Sequence, residues 1–226
     1  MSVNGSGTSD AVAKPRGQLK IAILGGGPSL ADAPLHDTSY VFWSMPWIDI
    51  PEMDLYFEPH SDWRELGEFY PCGMQPGAVA EFLAATTSAQ SPIMMLQKEP
   101  DLPHSIAFPF AAADALSGGR YLESTVAYML AFAALATQPG DEVAMWGCDL
   151  DVGSEYVHQR PNAEFWCGIL AGRGVSVTTS PQSSILRSVW SKGYYGAPGN
   201  KFIGDGMSFA AKEQVQEYIE RTGGKL

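Results

Sequence analysis

Lys20-Ile21-Ala22-Ile23-Leu24-Gly25-Gly26-Gly27-Pro28-Ser29-Leu30 is an apolar run that ends abruptly in three glycines, a proline and a serine. The run reads as a buried strand, the glycines as a turn whose bare backbone can approach a ligand, and Pro28-Ser29 as a helix start. Peptide N–H groups without intrahelical partners point outward at such a start, and the helix dipole adds roughly half a positive charge. The expected guest is a phosphate. The turn lacks the Gly-Lys-Ser/Thr ending of a P-loop, which argues against ordinary ATPase chemistry. Gly25, Gly27 and Leu30 give only a broken dinucleotide fingerprint. The next apolar run ends in Phe42-Trp43-Ser44, without the acid that would hold a ribose diol, so NAD and FAD are disfavoured.

Working outward, short apolar runs bounded by turn residues recur at 40–44, 55–58, 93–96, 143–147 and 175–178, with helical segments around 78–86, 124–136 and 163–171. Strands alternating with helices predict an α/β fold: a Rossmann-like, mostly parallel sheet with helices on both faces. Residues 1–17 are small and polar and read as a flexible tail, leaving 18–226 as one nucleotide-binding domain. The segment 124–136 is apolar nearly all round, which marks an internal helix, and its Ser124-Thr125 start can cap it. Asn162 is the candidate N-cap of the following helix, with Gly172 and Gly174 as stops. A last helix is expected over 208–222, and the aperiodic stretch 190–206 reads as a lid or an oligomer contact.

With 226 residues, 45% of them hydrophobic, the chain can bury one substantial core. Its longest apolar stretch, 126–136, is too short to cross a bilayer and no signal pattern opens the sequence, so a cytoplasmic protein without a membrane partner is expected. Cys72, Cys148 and Cys167 are odd in number and lack Cys-x-x-Cys spacing, which suggests reduced core residues. A net charge of −11 argues against a general nucleic-acid-binding surface. Between Tyr156 and Phe202, however, five basic side chains stand against Glu164 alone, a local excess of four that suits phosphates or an anionic acceptor.

Ligands of open parallel sheets bind beyond the carboxyl ends of the strands, so the residues following each run form a candidate set. They are Gly25, Gly26, Gly27, Pro28 and Ser29, then Ser44, then Glu58, His60 and Asp62, then Gly147, Asp149 and Asp151. Asp141 and Glu142 precede their strand, which places them at the opposite end, solvated and uninvolved. Glu58 and His60, two apart, can serve as a carboxylate–imidazole base pair or as metal ligands. Asp149 and Asp151 suit Mg²⁺ beside phosphates or a sugar hydroxyl. Residues 155–164 form the window densest in functional groups, with His158 as acid/base candidate, Arg160 for phosphate, and Tyr156, Gln159 and Asn162 as further contacts.

The turn Gly25-Gly26-Gly27-Pro28-Ser29-Leu30, the stretch Glu123-Ser124-Thr125-Val126-Ala127-Tyr128-Met129 and Trp146-Gly147-Cys148-Asp149-Leu150-Asp151 together resemble a known order of motifs. It is similar to that of the superfamily containing bacterial CMP-sialic-acid-dependent sialyltransferases, flagellin-modification accessory proteins and archaeal 6-hydroxymethylpterin diphosphokinases. An uncharacterised branch from tailed-phage genomes looks most alike. Its Phe-Glu-x-His, Glu-Tyr-x-x-Gln-Arg-x-Asn-x-Glu and Tyr-Gly motifs read here as Phe57-Glu58-Pro59-His60, residues 155–164, and Tyr195-Gly196. The resemblance covers about residues 19–196. It implies nucleotide phosphates at Gly25–Ser29, a donor near Ser124 and Thr125, and nucleotide or sugar at residues 147–151. The sialyltransferases usually carry Asn where this chain has Gly26 and Ser44, and their catalytic histidine lies farther beyond the fifth strand than His158, so neither cytidine nor that histidine's role carries over.

The leading expectation is a nucleotide-dependent transferase, glycosyltransferase-like, moving a sugar from a nucleotide-sugar donor to a hydroxyl of modified phage DNA or of a glycan. His60 or His158 would deprotonate the acceptor, with Glu58 and Asp149 beside them. One alternative is a Mg²⁺-dependent diphosphokinase acting on a small hydroxymethyl compound, with Asp149, Asp151 and Glu58 around the metal. The other is a non-catalytic phage protein that binds or sequesters a nucleotide.

Overall fold

The computed structural model describes residues 17–48, 50, 53–61, 63, 91–119, 121–150 and 156–187, the side chains of 156 and 157 excepted. Contacts divide the chain into two compact units, residues 1–185 and 186–226. The architecture below is that of the first. Residues 1–16, Asp62, Cys72, Asp151, the expected helices at 78–86 and 208–222, and the 190–206 stretch lie outside the described residues.

Seven strands form one sheet: β1 (Lys20–Leu24), β2 (Val41–Ser44), β3 (Leu55–Glu58), β4 (Ile93–Met95), β5 (Ser105–Ala107), β6 (Glu142–Trp146) and β7 (Ser176–Thr179). Their order is β5-β4-β3-β2-β1-β6-β7, and every pairing is parallel. This is the Rossmann-like α/β architecture that the alternation of runs predicts. Three α-helices are described: α1 (Phe110–Ser117), α2 (Thr125–Ala136) and α3 (Tyr156–Gly172). After β1 the chain winds outward as far as β5. It then crosses back to place β6 on the other side of β1, so the direction of winding reverses between β1 and β6. That reversal opens a crevice at the carboxyl ends of the two strands.

The period-two alternation of β1 sorts its side chains cleanly. Ile21 and Ile23 join Trp43, Phe57, Met94, Val143 and Met145 under α2 and α3, while Ala22 and Leu24 join Phe42, Tyr56, Ile93 and Met95 on the other face. Both faces are therefore apolar, as central parallel strands require. Helix α2 buries Val126, Ala127, Met129, Leu130, Ala131, Ala133 and Ala134, and its alanines admit α3 at close range. Ser124 caps it by accepting from the Ala127 amide at 3.1 Å, and Thr137 closes it by donating its hydroxyl to the Ala133 carbonyl at 2.7 Å. Each fully buried Ile, Leu or Met here contributes about 1.5–3 kcal/mol relative to exposure. No helix among the described residues is long and apolar enough to cross a membrane.

At the amino ends of the strands, Asp141 differs from its sequence reading. It is buried rather than solvated, because its carboxylate accepts from the amides of Leu19 and Gln138 at 2.8 Å each. It fastens the entry of β1 to the entry of β6. Glu142 accepts from the Tyr40 hydroxyl at 2.8 Å and pairs with Lys20, whose ammonium lies over the Tyr40 ring. Burial, then the hydrogen bond to Glu142 and its charge, push the Tyr40 phenol up to about 12. The protonated phenol is thus favoured in the native state. Its stabilising contribution is complete below pH 10, the ordinary tyrosine value, and is lost as pH rises from there through about 12. Tyr40→Phe should therefore be less stable than wild type in urea at pH 9, and the gap should close as the pH approaches 12.

At the carboxyl ends, Gly25 and Gly147 face each other. Gly147 has φ +68°, and a Cβ there would be driven into the Gly25 carbonyl oxygen; a Cβ on Gly25 would meet the Gly147 carbonyl. Gly147→Ala combines this clash with a left-handed backbone, and its unfolding free energy in urea should fall by more than about 2 kcal/mol.

Candidate functional site

The turn after β1 is built as the sequence suggests, but its donors are engaged from within. Gly25 N donates to the Trp146 carbonyl at 2.8 Å and Gly27 N to the Gly147 carbonyl at 2.7 Å, so the turn is an extension of the β1–β6 pairing. The expected helix start is a five-residue 3₁₀ segment, Pro28–Asp32, too short to sum a sizeable dipole. Ser29 N donates to Asp149 Oδ2 at 2.9 Å, the Ser29 hydroxyl donates to Asp149 Oδ1 at 2.6 Å, and Gly147 N donates to that hydroxyl at 2.8 Å. Asp149 is only 4% exposed. An internal carboxylate therefore fills the position expected for a phosphate, which corrects the outward-facing cradle. It also gives Asp149 the work of clamping two strand ends rather than reaching toward a metal. Gly26 stands apart, exposed and with no atom within 4 Å of the place a side chain would occupy.

Ser44 is fully buried and donates to the Leu24 carbonyl at 3.3 Å, holding the end of β2 against the end of β1. Ser124 is the α2 cap and Thr125 is buried in its first turn. Cys148 and Cys167 are reduced core thiols, as expected. Burial raises both, the Cys167 thiol to about 12, with the charges of Asp149 and Glu164 adding to the effect at Cys148 and Cys167 in turn.

Within the 155–164 window, the described residues are helical. From Tyr156 onward it is the first half of α3, and Pro161 lies inside that helix. Asn162 is consequently a mid-helix residue and not a cap. Fully buried, it accepts from the Glu123 amide at 2.9 Å and donates to the Tyr121 carbonyl at 2.5 Å, beside the Trp166 indole N–H, which donates to the same carbonyl at 2.6 Å. Arg160 points elsewhere, as residues two apart on a helix must. Its Nε pairs with Glu164 at 3.0 Å, and its terminal nitrogens donate to the Ser184 hydroxyl at 3.2 Å and the Ser184 carbonyl at 2.6 Å. Ser184 in turn donates to the Asp149 backbone carbonyl at 2.9 Å, so Arg160 lies close to the crevice rim. His158 is exposed and Gln159 half-buried in the same helix start.

Glu58 and His60 are brought together as expected. Glu58 ends β3 with no exposed surface, and its Oε1 accepts from both the backbone amide of His60, at 3.1 Å, and the His60 ring at Nδ1. A carboxylate can only accept, so Nδ1 carries the shared proton, which fixes the orientation of the ring. The His60 side chain remains 27% exposed. A base oriented by a buried carboxylate is the arrangement by which enzymes deprotonate hydroxyl groups. In the strand order, β3 is two places from β1, so the dyad stands about 10 Å from the Gly25 turn along the same edge of the sheet.

Two neighbours of the site were not singled out by the sequence. Trp47, in the loop after β2, is half-buried, and its ring lies 5.8 Å from that of His60 at 53°. The segment after β7 supplies buried Ser180, which donates to Asp32 at 2.5 Å, and Ser184 beside Arg160. Both follow strand ends, so the rule that collected Ser44 and Asp149 could have reached them. An apolar cleft of about 430 Å³, framed by Val41, Trp43, Leu55, Met94, Ile106 and Phe132, lies on the face of the sheet and away from this chemistry. No group of three His, Cys, Asp or Glu among the described residues is arranged to hold a metal.

Comparison of the chain with known protein families, with curated proteins and with solved structures finds no match. The site's own geometry therefore carries its interpretation. If Asp149 is the internal clamp, Asp149→Ala strands the amide and hydroxyl of Ser29. Unfolding in urea should then show a loss of about 2–3 kcal/mol, whereas a carboxylate held for a ligand would be removed at little cost.

Proposed function

We propose that the protein is a nucleotide-dependent transferase of the glycosyltransferase kind, in which His60, held by Glu58, is the base that activates an acceptor hydroxyl. The observation that carries this reading is the Glu58–His60 pair at the carboxyl end of β3, on the edge of the sheet that also holds the β1–β6 crevice. The separation of about 10 Å between crevice and dyad suits a donor whose nucleotide lies over the crevice and whose transferable sugar reaches β3. The motif order shared with the sialyltransferase-like superfamily supports the same choice. Its nucleotide-sugar donors are cytoplasmic metabolites, and a phage-encoded protein acting inside a bacterial host fits that setting.

In this reading, Nε2 of His60 takes the hydroxyl proton while the acceptor oxygen attacks the anomeric carbon of the donor. The bond from that carbon to the nucleotide's phosphate oxygen breaks, and the phosphate departs with the bonding pair. Three of the five N–H groups of Arg160 are engaged with Glu164 and Ser184, which leaves the guanidinium, with the exposed Gly26 amide, to meet the departing charge. Glu58 is a positioning residue, fixing the ring and stabilising the imidazolium that forms.

A second reading is a nucleotide-binding protein without turnover, in which the exposed Gly26 amide and Arg160, rather than the internally used Ser29 donors, would meet the phosphate. The diphosphokinase alternative gains no comparable support, since Asp149 is committed to Ser29. A thermal-shift screen of nucleotides and nucleotide sugars, with and without Mg²⁺, followed by product analysis, separates the three. A nucleotide sugar should raise the melting temperature. His60→Ala should lower turnover about 10²–10⁴-fold while leaving donor binding intact. Saturable binding with no product would select the second reading, and strict dependence on Mg²⁺ and ATP the diphosphokinase.

A further inference from the structure

We propose that the apolar cleft on the face of the sheet beside α2 binds a small organic cation, a compact apolar ring system that carries one ammonium group. The proposal goes beyond the transferase reading and does not rest on it. Val41, Leu55 and Pro92 stand at or just before the starts of β2, β3 and β4, so the cleft sits toward the amino ends of these strands, opposite the ends that carry Glu58 and the Gly25 turn. Its floor is the apolar sheet itself, with Trp43, Leu55 and Met94 each at most 8% exposed. Phe132 of α2 forms one wall, its ring 5.5 Å from that of Trp43. Edge strand β5 forms the other, where Ile106 stays 45% exposed. The volume of about 430 Å³ lies in the range of small-molecule sites, about 300–1,000 Å³.

Asp54 decides the sign of the guest. It is the only charged side chain among the described residues that line the cleft, and it is exposed. Phe42 fixes its place: Oδ2 accepts from the Phe42 amide at 2.7 Å, and the Asp54 amide donates to the Phe42 carbonyl at 2.9 Å. Oδ1 has no hydrogen-bond partner among the described residues, which leaves its lone pairs for a donor. An amphiphilic ammonium satisfies both surfaces. Its apolar body leaves water against Trp43 and Phe132, and its charge stays in the solvated region of Asp54, so no ion is buried unpaired. A carboxylate or phosphate would be repelled by Asp54 in a chain of net charge −11, and a neutral analogue would lose the charge-assisted hydrogen bond. A second copy of the chain is disfavoured as occupant on the same ground, since it brings the same net charge to an interface whose one charged side chain is an acid.

The test is calorimetric titration of the whole protein with three indole probes that differ in charge: tryptamine, an ammonium; tryptophol, a neutral alcohol; and indole-3-acetate, a carboxylate. Wild type, Asp54→Asn and Ala107→Trp are compared, with thermal melting and light scattering as controls of fold and oligomeric state. Tryptamine should bind wild type saturably and at least about tenfold more tightly than tryptophol, with indole-3-acetate weakest. Asp54→Asn keeps an oxygen for the Phe42 amide but removes the charge, so tryptamine should fall to within about twofold of tryptophol. Ala107→Trp puts bulk into the cleft from an exposed position on β5 and should weaken tryptamine and tryptophol alike, at least about tenfold. Absence of saturable tryptamine binding, affinities indifferent to probe charge, or tryptamine binding that either variant leaves unchanged would overturn the proposal. A dimer that Ala107→Trp dissociates would also overturn it, because a second copy would then fill the cleft. Should Asp54→Asn fail to fold, the probe series on wild type and Ala107→Trp still decides. None of these titrations involves a nucleotide sugar or the Glu58–His60 pair, so their failure leaves the transferase reading untouched.

Discussion

Two strand ends meeting without side chains is the constraint on which this molecule depends. Where β1 and β6 leave the sheet, the peptides of Gly25 and Gly147 lie so close that neither position admits a Cβ. The pairing then continues past the strands, through Gly25 N to Trp146 O and Gly27 N to Gly147 O. This contact sets the depth of the crevice at the reversal of the sheet. It also brings Ser29 within reach of Asp149, and the carboxylate settles on the serine's amide and hydroxyl. From Asp149 the same network runs through Ser184 to Arg160 and Glu164, so the ends of β1 and β6, the loop after β7 and the start of α3 are fixed as one body.

That network moves the chemical interest of the edge away from the glycines. In an anion-binding turn, the amides wait for a guest. Here most are satisfied by the protein, and a separate polar pair, Glu58 and His60, stands two strands away. A buried carboxylate is costly unless its charge is matched, and the imidazole and backbone amide of His60 supply that match. The β1–β6 end is thus a rigid internal clamp, while the Glu58–His60 pair at β3 keeps part of its imidazole exposed.

The sheet was legible because its central strands are short, largely apolar and punctuated by turn residues. Five of the six expected runs match observed strands within one residue at each end, and the opening run matches β1. β5 and α1 escaped for physical reasons. Ser105-Ile106-Ala107 is three residues long with two exposed, and Phe110–Ser117 is rich in alanine with no strong stripe, so neither carries a periodic signal. In the site, the pairing of Glu58 with His60 could be read because two residues at a strand exit share one side. Asp149 could not be placed the same way. Nothing in Asp149-Leu150-Asp151 tells whether a carboxylate faces solvent or a serine 120 positions away. Asn162 misled for a related reason: its amide serves buried backbone at Tyr121 and Glu123 as well as it would serve a helix end.

The placement of β1 also sets an order of events during synthesis. β1 is made well before its second neighbour, β6, which begins only at Glu142, so until then this apolar strand has one unsatisfied edge. Closing a loop of that span is entropically slow, and pairing between distant segments of a parallel sheet is among the late steps of folding. Until then the nascent chain presents a template to which other strands can add, including those of neighbouring ribosomes. The clamp between Ser29 and Asp149 is thus a record of completion, made only when the polypeptide is long enough to bring its two central strands together.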